Sequence, residues 1–226
     1  MLLIASKKTL LSWSSGKDSA YALQLLQKDP GIELLGLFTT INQEFERVAM
    51  HAVPLDLLKK QAHQIGLPLE IIEIPNPCSK EKYEVIMQGF IERCKFNKVE
   101  AIAFGDLYLE DVRSYREQQM QDSGIDCLFP CWGINTTEFS KSIIDLGIKA
   151  KISCLDPRFL DDSLAGHEYN KGFLEKLPIT VDPCGENGEF HTFVYDSPSF
   201  AEPIRIQQGV TLKRDKFVFT DWVQRD

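Results

Sequence analysis

The chain lacks the features that mark several classes of protein. Of its 226 residues, 25 are Lys or Arg and 33 are Asp or Glu, which gives a formal net charge of −8. A protein whose main partner is duplex DNA or an anionic membrane usually carries more basic than acidic residues, whereas this sequence carries more acidic residues. No stretch reaches the roughly 18 consecutive apolar residues of a transmembrane helix. We therefore expect no membrane span, and the acidic balance argues against nucleic acid as the main partner.

Metal-ligating and targeting patterns are also scarce. The six cysteines form no CxxC pair, and the closest two, Cys127 and Cys131, are spaced CxxxC. A zinc site would need two further ligands at a matching spacing, so we expect buried thiols and no metal site made by the protein alone. The N-terminus has a short apolar run, and Lys7 and Lys8 follow that run. A signal peptide has its positive charges before the apolar run, so we expect no signal peptide. We expect a cytoplasmic protein.

What the sequence does contain is an alternation of strand and helix patterns over the first 130 residues. Continuous apolar runs predict strands at Thr9–Trp13, Ile32–Thr40, Leu69–Ile74 and Val99–Phe104, and amphipathic patterns predict helices at Asp18–Lys28, Pro54–Ile65, after Ser79 and at Tyr108–Gln121. Strands of this kind separated by helices predict an α/β fold with a doubly wound, mostly parallel five-stranded sheet. In such folds ligands bind beyond the carboxyl ends of the strands.

The pattern changes after about residue 130. Predicted elements there are a helix at Thr136–Leu146, a strand at Ile148–Cys154, a helix near Gly166–Lys176 and short strands such as Phe190–Tyr195 and Lys216–Thr220. We therefore expect two domains, a nucleotide-binding α/β domain at 1–130 and a smaller α+β domain for the acceptor substrate at 131–226.

The loop between the first strand and the first helix carries a phosphate-binding pattern. It reads SWSSGKDSA at 12–20 and places hydroxyls, a glycine and a lysine at a helix N-terminus, where unpaired N–H groups and the helix dipole favour anions. It is not a Walker A loop, because Leu11 stands where that motif needs glycine, and it has too few glycines for a Rossmann loop. The alternative is a plain turn with Asp18 or Ser19 as helix cap. We expect the loop to be exposed, so that removing Lys17 would barely change fold stability.

This loop resembles a known family pattern. The segment SSGKDS at 14–19 resembles the SGGxDS loop of the PP-loop ATP pyrophosphatases, which belong to the adenine nucleotide alpha hydrolase-like superfamily. The resemblance implies that ATP is cleaved between its α and β phosphates while the loop holds pyrophosphate. Ser15 stands where the family has glycine, and we expect it to keep a negative φ.

A second resemblance lies near the C-terminus. The segment CGENGEFHT at 184–192 resembles the CGEGGEYET signature of the diphthine–ammonia ligase (diphthamide synthase) family. Other positions follow in the family's order, namely His51, Gly105, Asp106, Arg113, Leu155, Asp156 and Gly166. The departures are Asn187, Phe190 and His191. Two glycines with two carboxylates predict a tight turn, where Glu186 and Glu189 can hold ammonium or orient an amine. The alternative is a β-turn with solvated glutamates.

The resemblance implies an ATP-dependent ligase that forms a C–N bond. A carboxylate would be adenylated with release of pyrophosphate and then amidated by ammonia, with Mg²⁺ on the phosphates, AMP as product and translation elongation factor two as a protein acceptor. The expected catalytic residues are Lys17, Asp18, Glu186 and Glu189, and the expected nucleotide-binding residues are Ser14, Ser15, Gly16, Lys17, Asp18, Ser19, Gly105 and Asp106.

Other functions remain open at this point. One is an adenine-nucleotide sensor without ligase activity, and another is a PP-loop enzyme acting on a different carboxylate. Sulfur transfer to tRNA fits less well, because the chain is acidic and has no CxxC pair. The sequence is also compatible with a homodimer.

Overall fold

Strands and helices alternate along the first part of the chain, and an antiparallel sheet follows. The computed structural model describes residues 6–44, 47–48 and 53–225. In chain order the elements are β1 Lys7–Ser12, α1 Lys17–Lys28, β2 Ile32–Asn42, β3 Arg47–Val48, α2 Leu55–Ile65, β4 Leu69–Ile74, α3 Lys80–Phe96, β5 Ala101–Ala103, α4 Glu110–Met120, β6 Asp126–Leu128, α5 Thr136–Asp145, β7 Lys149–Leu155, a 3₁₀ turn at Asp162–Leu164, α6 Lys171–Leu174, β8 Phe190–Asp196, β9 Ile206–Arg214 and β10 Phe217–Gln224.

Five parallel strands form the first sheet, in the order β4-β2-β1-β5-β6. This confirms the predicted doubly wound α/β fold, and the two-residue strand β3 adds an antiparallel pairing at the end of β2. The chain runs outward from β1 through β2 to β4, and then returns to the other side of β1 as β5 and β6. The order therefore reverses between β1 and β5, which is where folds of this kind form their ligand crevice.

Both faces of this sheet are covered by helices. Neighbouring residues on one strand point to opposite faces, so Leu37 and Ala103 belong to one buried cluster while Phe38 and Ile102 belong to the other. Helices α1 and α2 cover the first face, and α3 covers the second. Because both faces are covered, the central strands carry apolar stretches such as LLGLF at 34–38 of β2, which explains why their positions could be predicted.

The C-terminal part contains a separate antiparallel sheet in the order β8-β7-β10-β9. Its buried residues, such as Phe193 on β8 and Ile152 on β7, join the same cluster as Leu23 of α1. The α+β character of this region is as predicted, while the boundary at 130/131 stays a prediction.

One predicted helix forms only over a short part of its predicted length. The pattern near Gly166–Lys176 forms a helix only at Lys171–Leu174. Gly166 has a φ of +76°, and the backbone after it runs alongside β7, where Tyr169 N–H donates to the Ala150 carbonyl (2.8 Å). Pairing with a strand holds these residues extended, and this competes with the local helical pattern.

Candidate functional site

A cavity of about 260 Å³ lies at the reversal of strand order, beyond the ends of β1 and β5. The loop before α1 lines one side with Ser14, Lys17, Asp18 and Ser19, and the segment 184–192 lines the opposite side. Two segments that stand about 170 positions apart in the sequence therefore face each other across one cavity.

The N-terminus of α1 is held by the second segment. Its cap position is Gly16, with no side-chain cap, so the alternative in which Asp18 or Ser19 caps the helix does not occur. Instead, Lys17 N–H donates to the Thr192 hydroxyl (3.1 Å), and the hydroxyls of Ser14 and Ser19 lie 3.1 Å apart at the cavity wall. These hydroxyls and the helix N-terminus supply the donors that an anion requires.

Ser15 corrects one expectation. Its φ is +69°, not negative, so it adopts the left-handed conformation that glycine has no difficulty adopting. This turns its carbonyl toward two donors, Val194 N–H (3.0 Å) and the Gln61 side-chain amide (3.1 Å). Its own hydroxyl is buried with no hydrogen-bond partner in the described part of the chain. Ser15 therefore shapes the loop through its backbone and does not line the cavity.

Lys17 corrects a second expectation. Its side chain is only 2% exposed, so the lysine is buried, not solvated as predicted. Its ammonium donates to the Cys184 carbonyl (2.5 Å) and to Asp18 (2.9 Å), and it lies 5.5 Å and 5.4 Å from the ring centroids of Tyr169 and Phe190. Burial acts to lower the pKa of Lys17, but the nearby acidic groups outweigh it and the pKa is raised, so Lys17 stays charged.

Asp18 has one engaged and one unengaged oxygen. Its Oδ2 accepts from Lys17, while its Oδ1 is buried without a hydrogen-bond partner among the described residues. Burial raises the pKa of Asp18, and the charge of Lys17 partly opposes that shift. An unengaged carboxylate oxygen at a cavity wall is a ligand of the kind that a hard cation prefers.

The two glutamates of the second segment have different surroundings. The Glu189 carboxylate is buried inside its own turn, where it accepts from Asp182 N–H (3.0 Å), Asn187 N–H (3.0 Å) and the Asn187 amide (3.1 Å). It does not line the cavity, whereas Glu186 does. The structure therefore brings Glu186 to the loop before α1 and leaves Glu189 as the residue that holds the turn closed.

Glu186 has an acid strength suited to proton transfer near neutral pH. Burial and the charge of Asp18 raise its pKa to about 8, against an opposing effect of Lys17. A group with such a pKa can both donate and accept a proton under physiological conditions. The alternative of solvated glutamates at this turn therefore fits neither residue.

Gly105 and Asp106 approach the loop from β5. A Cβ at Gly105 would lie 3.0–3.1 Å from backbone atoms of Asp18 and Ser19, which is tighter than most Cβ contacts, so glycine favours this close approach. Asp106 lines the cavity, but both of its oxygens accept from Arg116 of α4, at 2.5 Å and 3.3 Å. Arg116 was not among the predicted site residues, because nothing in the polar pattern of α4 distinguishes it.

A second cavity of about 490 Å³ adjoins the first. Its walls are largely aromatic or apolar and include Trp13, Phe38, Tyr83, Met87 and Tyr115. Its size and lining suit a small planar ligand such as a nucleoside. The two cavities together offer a polar, hydroxyl-rich end and an aromatic end.

Two protein-family models match the chain, one after the other. A family model described as the diphthamide synthase N-terminal domain matches residues 7–127, and one described as the diphthamide synthase C-terminal domain matches residues 135–222. The chain belongs to the diphthamide synthase family. No curated protein matches the chain significantly. Diphthamide synthases are an enzyme family.

Arg113, His51 and His191 are among the other residues that the family resemblance singles out. Arg113 pairs with Glu117 on α4 (2.9 Å), contacts Phe129 and Trp132, and lines neither cavity. His51 lies outside the described residues. His191, one of the departures from the family signature, lines both cavities.

The described residues contain neither a metal-ligand cluster nor a membrane-spanning helix. All six cysteines are free thiols, and no three His, Cys, Asp or Glu side chains of residues 6–44, 47–48 and 53–225 lie together as metal ligands. None of the helices in these residues has the length and apolar character needed to cross a membrane.

Proposed function

We propose that the protein is an ATP-dependent ligase that adenylates a carboxylate, releases pyrophosphate and then forms an amide with ammonia. The observation that carries this proposal is the pairing of a phosphate-type loop with a carboxylate of raised pKa, Glu186, across one cavity. The family assignment supports it, since a diphthamide synthase converts the carboxylate of diphthine into an amide. Translation elongation factor two is accordingly the proposed acceptor.

In the first step the loop holds the nucleotide. The β and γ phosphates would lie against the N-terminus of α1 and the hydroxyls of Ser14 and Ser19, near the charge of Lys17. The nucleoside would occupy the aromatic cavity. An acceptor carboxylate oxygen attacks the α-phosphorus, the bond from that phosphorus to the bridging oxygen breaks, and pyrophosphate leaves with the bonding electrons.

In the second step ammonia attacks the acyl carbon, the bond from that carbon to the phosphate oxygen breaks, AMP leaves with the bonding electrons, and the nitrogen releases one proton to solvent. Ammonium has to lose a proton before its nitrogen can attack, and Glu186 in its ionised form is positioned to accept it. Glu186 lines the same cavity as the loop, so the acid–base group and the phosphates share one space.

The residues fit a magnesium ion. The buried, unengaged Oδ1 of Asp18 is a suitable oxygen ligand, and Mg²⁺ is often held by one or two carboxylates together with substrate phosphates. The absence of a three-ligand cluster in the described residues is therefore compatible with it. When bound, the ion would neutralise charge on the leaving pyrophosphate.

The test is the identity of the products. The protein would be incubated with ATP, Mg²⁺, ammonium and an elongation factor two that carries diphthine, and nucleotides would be separated by chromatography. We expect AMP and pyrophosphate in equal amounts, dependent on the acceptor. ADP and phosphate as the main products would contradict the proposal.

A matched variant tests the role of the cavity carboxylate. Glu186→Gln keeps the shape of the side chain but cannot accept a proton, so we expect ATP affinity to stay and amide formation to fall by about 100-fold or more. Equal rates of amide formation in wild type and variant would remove Glu186 from the mechanism. A nucleotide sensor would bind ATP in both proteins and release no pyrophosphate in either.

A further inference from the structure

Arg116 stands where the two cavities meet. The residues that line both are Ser12, Ser14, Phe104, Val112, Arg116 and His191, and among these described residues Arg116 is the one with a permanent charge. In a nucleotide the α-phosphate joins the nucleoside to the other phosphates. A nucleotide that occupies both cavities therefore places its α-phosphate at this junction.

The guanidinium is held in a fixed orientation. Asp106 accepts from its Nε (2.5 Å) and Nη2 (3.3 Å), and the guanidinium carbon lies 4.3 Å from the centroid of the Phe104 ring, which is itself buried. Arginine has five N–H donors, and Asp106 engages two, so three remain for a ligand. No further hydrogen-bond partner of these donors is found in the described part of the chain.

Lys17 cannot take this place. Its ammonium is buried and already donates to the Cys184 carbonyl and to Asp18, on the side of the loop. A planar guanidinium is also better suited than an ammonium to bind two phosphate oxygens at once.

Asp106 is a poor ligand for a phosphate, because two anionic groups repel each other at short range. Its two oxygens are both occupied by Arg116. Asp106 therefore affects the nucleotide through Arg116, which differs from the direct nucleotide contact expected from its position after β5.

We propose that Arg116 binds the α-phosphate, the group that the acceptor attacks, and that Asp106 is the residue that positions Arg116. This inference rests on the proposed function, since it assumes a nucleotide spanning both cavities. It adds a specific contact at the reacting phosphorus, where negative charge builds up as the carboxylate attacks.

The experiment compares ligands that differ by one phosphate. Calorimetry would measure the affinities of adenosine and AMP for wild type, Arg116→Ala and Arg116→Lys. We expect Arg116→Ala to weaken AMP binding by about 10- to 100-fold, the range for charge-assisted hydrogen bonds. Adenosine affinity should change by less than about twofold, since adenosine has no phosphate to contact. Arg116→Lys keeps a positive charge, so its AMP affinity should lie between those of wild type and Arg116→Ala. This variant also serves as the test if Arg116→Ala fails to fold.

Two further variants separate positioning from general damage. Arg113 lies on the same helix, pairs with Glu117 and lines neither cavity. Arg113→Ala should therefore leave AMP affinity unchanged. Asp106→Asn should weaken AMP binding less than Arg116→Ala, and the double variant should be no worse than Arg116→Ala alone, because the two residues act on one contact.

The outcomes distinguish the inference from the proposed function. Equal AMP affinities in wild type and in a folded Arg116 variant would overturn the inference while leaving the ligase proposal intact. An equal loss of adenosine and AMP affinity would show a structural role and would also overturn it. If wild type binds neither AMP nor ATP, the nucleotide site itself is wrong and both proposals fail.

Discussion

Replacing Lys17 with alanine should destabilise the fold, although Lys17 belongs to a predicted ligand-binding loop. The side chain is 2% exposed and its ammonium donates to the Cys184 carbonyl and to Asp18. Its removal leaves the Asp18 carboxylate with no paired cation, and the Cys184 carbonyl with no donor, among the residues that the structure describes. Breaking a buried ion pair in this way typically costs about 3–5 kcal/mol. Because the Asp18 side chain is 22% exposed and can take up a proton, we expect the lower end, about 3 kcal/mol.

The assay is thermal and urea unfolding of the protein without ligand. For a chain of this length 1 kcal/mol corresponds to a change in Tm of about 2–4 °C, so Lys17→Ala should lower Tm by about 6–12 °C. The matched control is Lys7→Ala, which removes a lysine from the largely exposed pair with Asp126 (side chains 40% and 63% exposed). Such a surface pair contributes about 0–1 kcal/mol, so the control should unfold almost like wild type.

A double variant tests the cause of the loss. Lys17→Ala with Asp18→Asn removes the uncompensated charge, so part of the lost stability should return. If Lys17→Ala unfolds within about 1 kcal/mol of wild type, as the Lys7 control should, then Lys17 is not buried in solution as it is here, and the reasoning is refuted.

Two further predictions concern the segment that faces the loop. Gly185→Ala should cost at least about 2 kcal/mol, because φ is +72° and the new Cβ would lie 2.6 Å from the Phe190 carbonyl oxygen. Gly188 also has a positive φ, but a Cβ added there would meet nothing within 4 Å. Gly188→Ala should therefore lower the free energy of unfolding in urea by only about 1–2 kcal/mol. Equal losses of stability in the two alanine variants would contradict the clash at Gly185. The pKa of Glu186 is raised from about 4.5 to about 8 in the folded protein. Between these two pH values the folded state holds a proton that the unfolded state has lost, so the free energy of unfolding falls as pH rises from 5 to 8. Glu186→Gln should reduce that loss by at least about 1.4 kcal/mol, the equivalent of one pKa unit, and an unchanged pH dependence would contradict the buried carboxyl.

The sheet could be predicted because its strands carry a strong local signal. Strand β2 carries the largely apolar stretch LLGLF at 34–38, and four of the six residues of β4 are apolar. The limits of β4 at Leu69–Ile74 agree with the prediction. Strand β6 was missed, since its three residues Asp126–Leu128 have no such run. It forms because β5 offers an edge with which it can pair in parallel. That is a tertiary cause which no local pattern records.

The site was predictable in its residue types but not in its contacts. Hydroxyls, glycine and lysine at a helix N-terminus indicate an anion site from local sequence alone. The burial of Lys17 and the φ of Ser15 depend instead on Cys184 and Val194, which are more than 160 positions away. Arg116 was missed for the same reason, because its place at the junction depends on how α4 lies relative to Phe104 and Asp106, which follow β5.

The charges in the first cavity suggest an order of events for the proposed reaction. Two cations, Lys17 and Arg116, face three carboxyl groups, Asp18, Asp106 and Glu186, among the described residues that line it. With the pKa of Glu186 near 8, that group is largely protonated at neutral pH, and the cavity is then close to neutral and able to admit phosphates. Bound phosphates raise the pKa of Glu186 further, since they add negative charge nearby. Departure of pyrophosphate removes that effect, so Glu186 ionises more readily at the stage when ammonium has to be held and deprotonated.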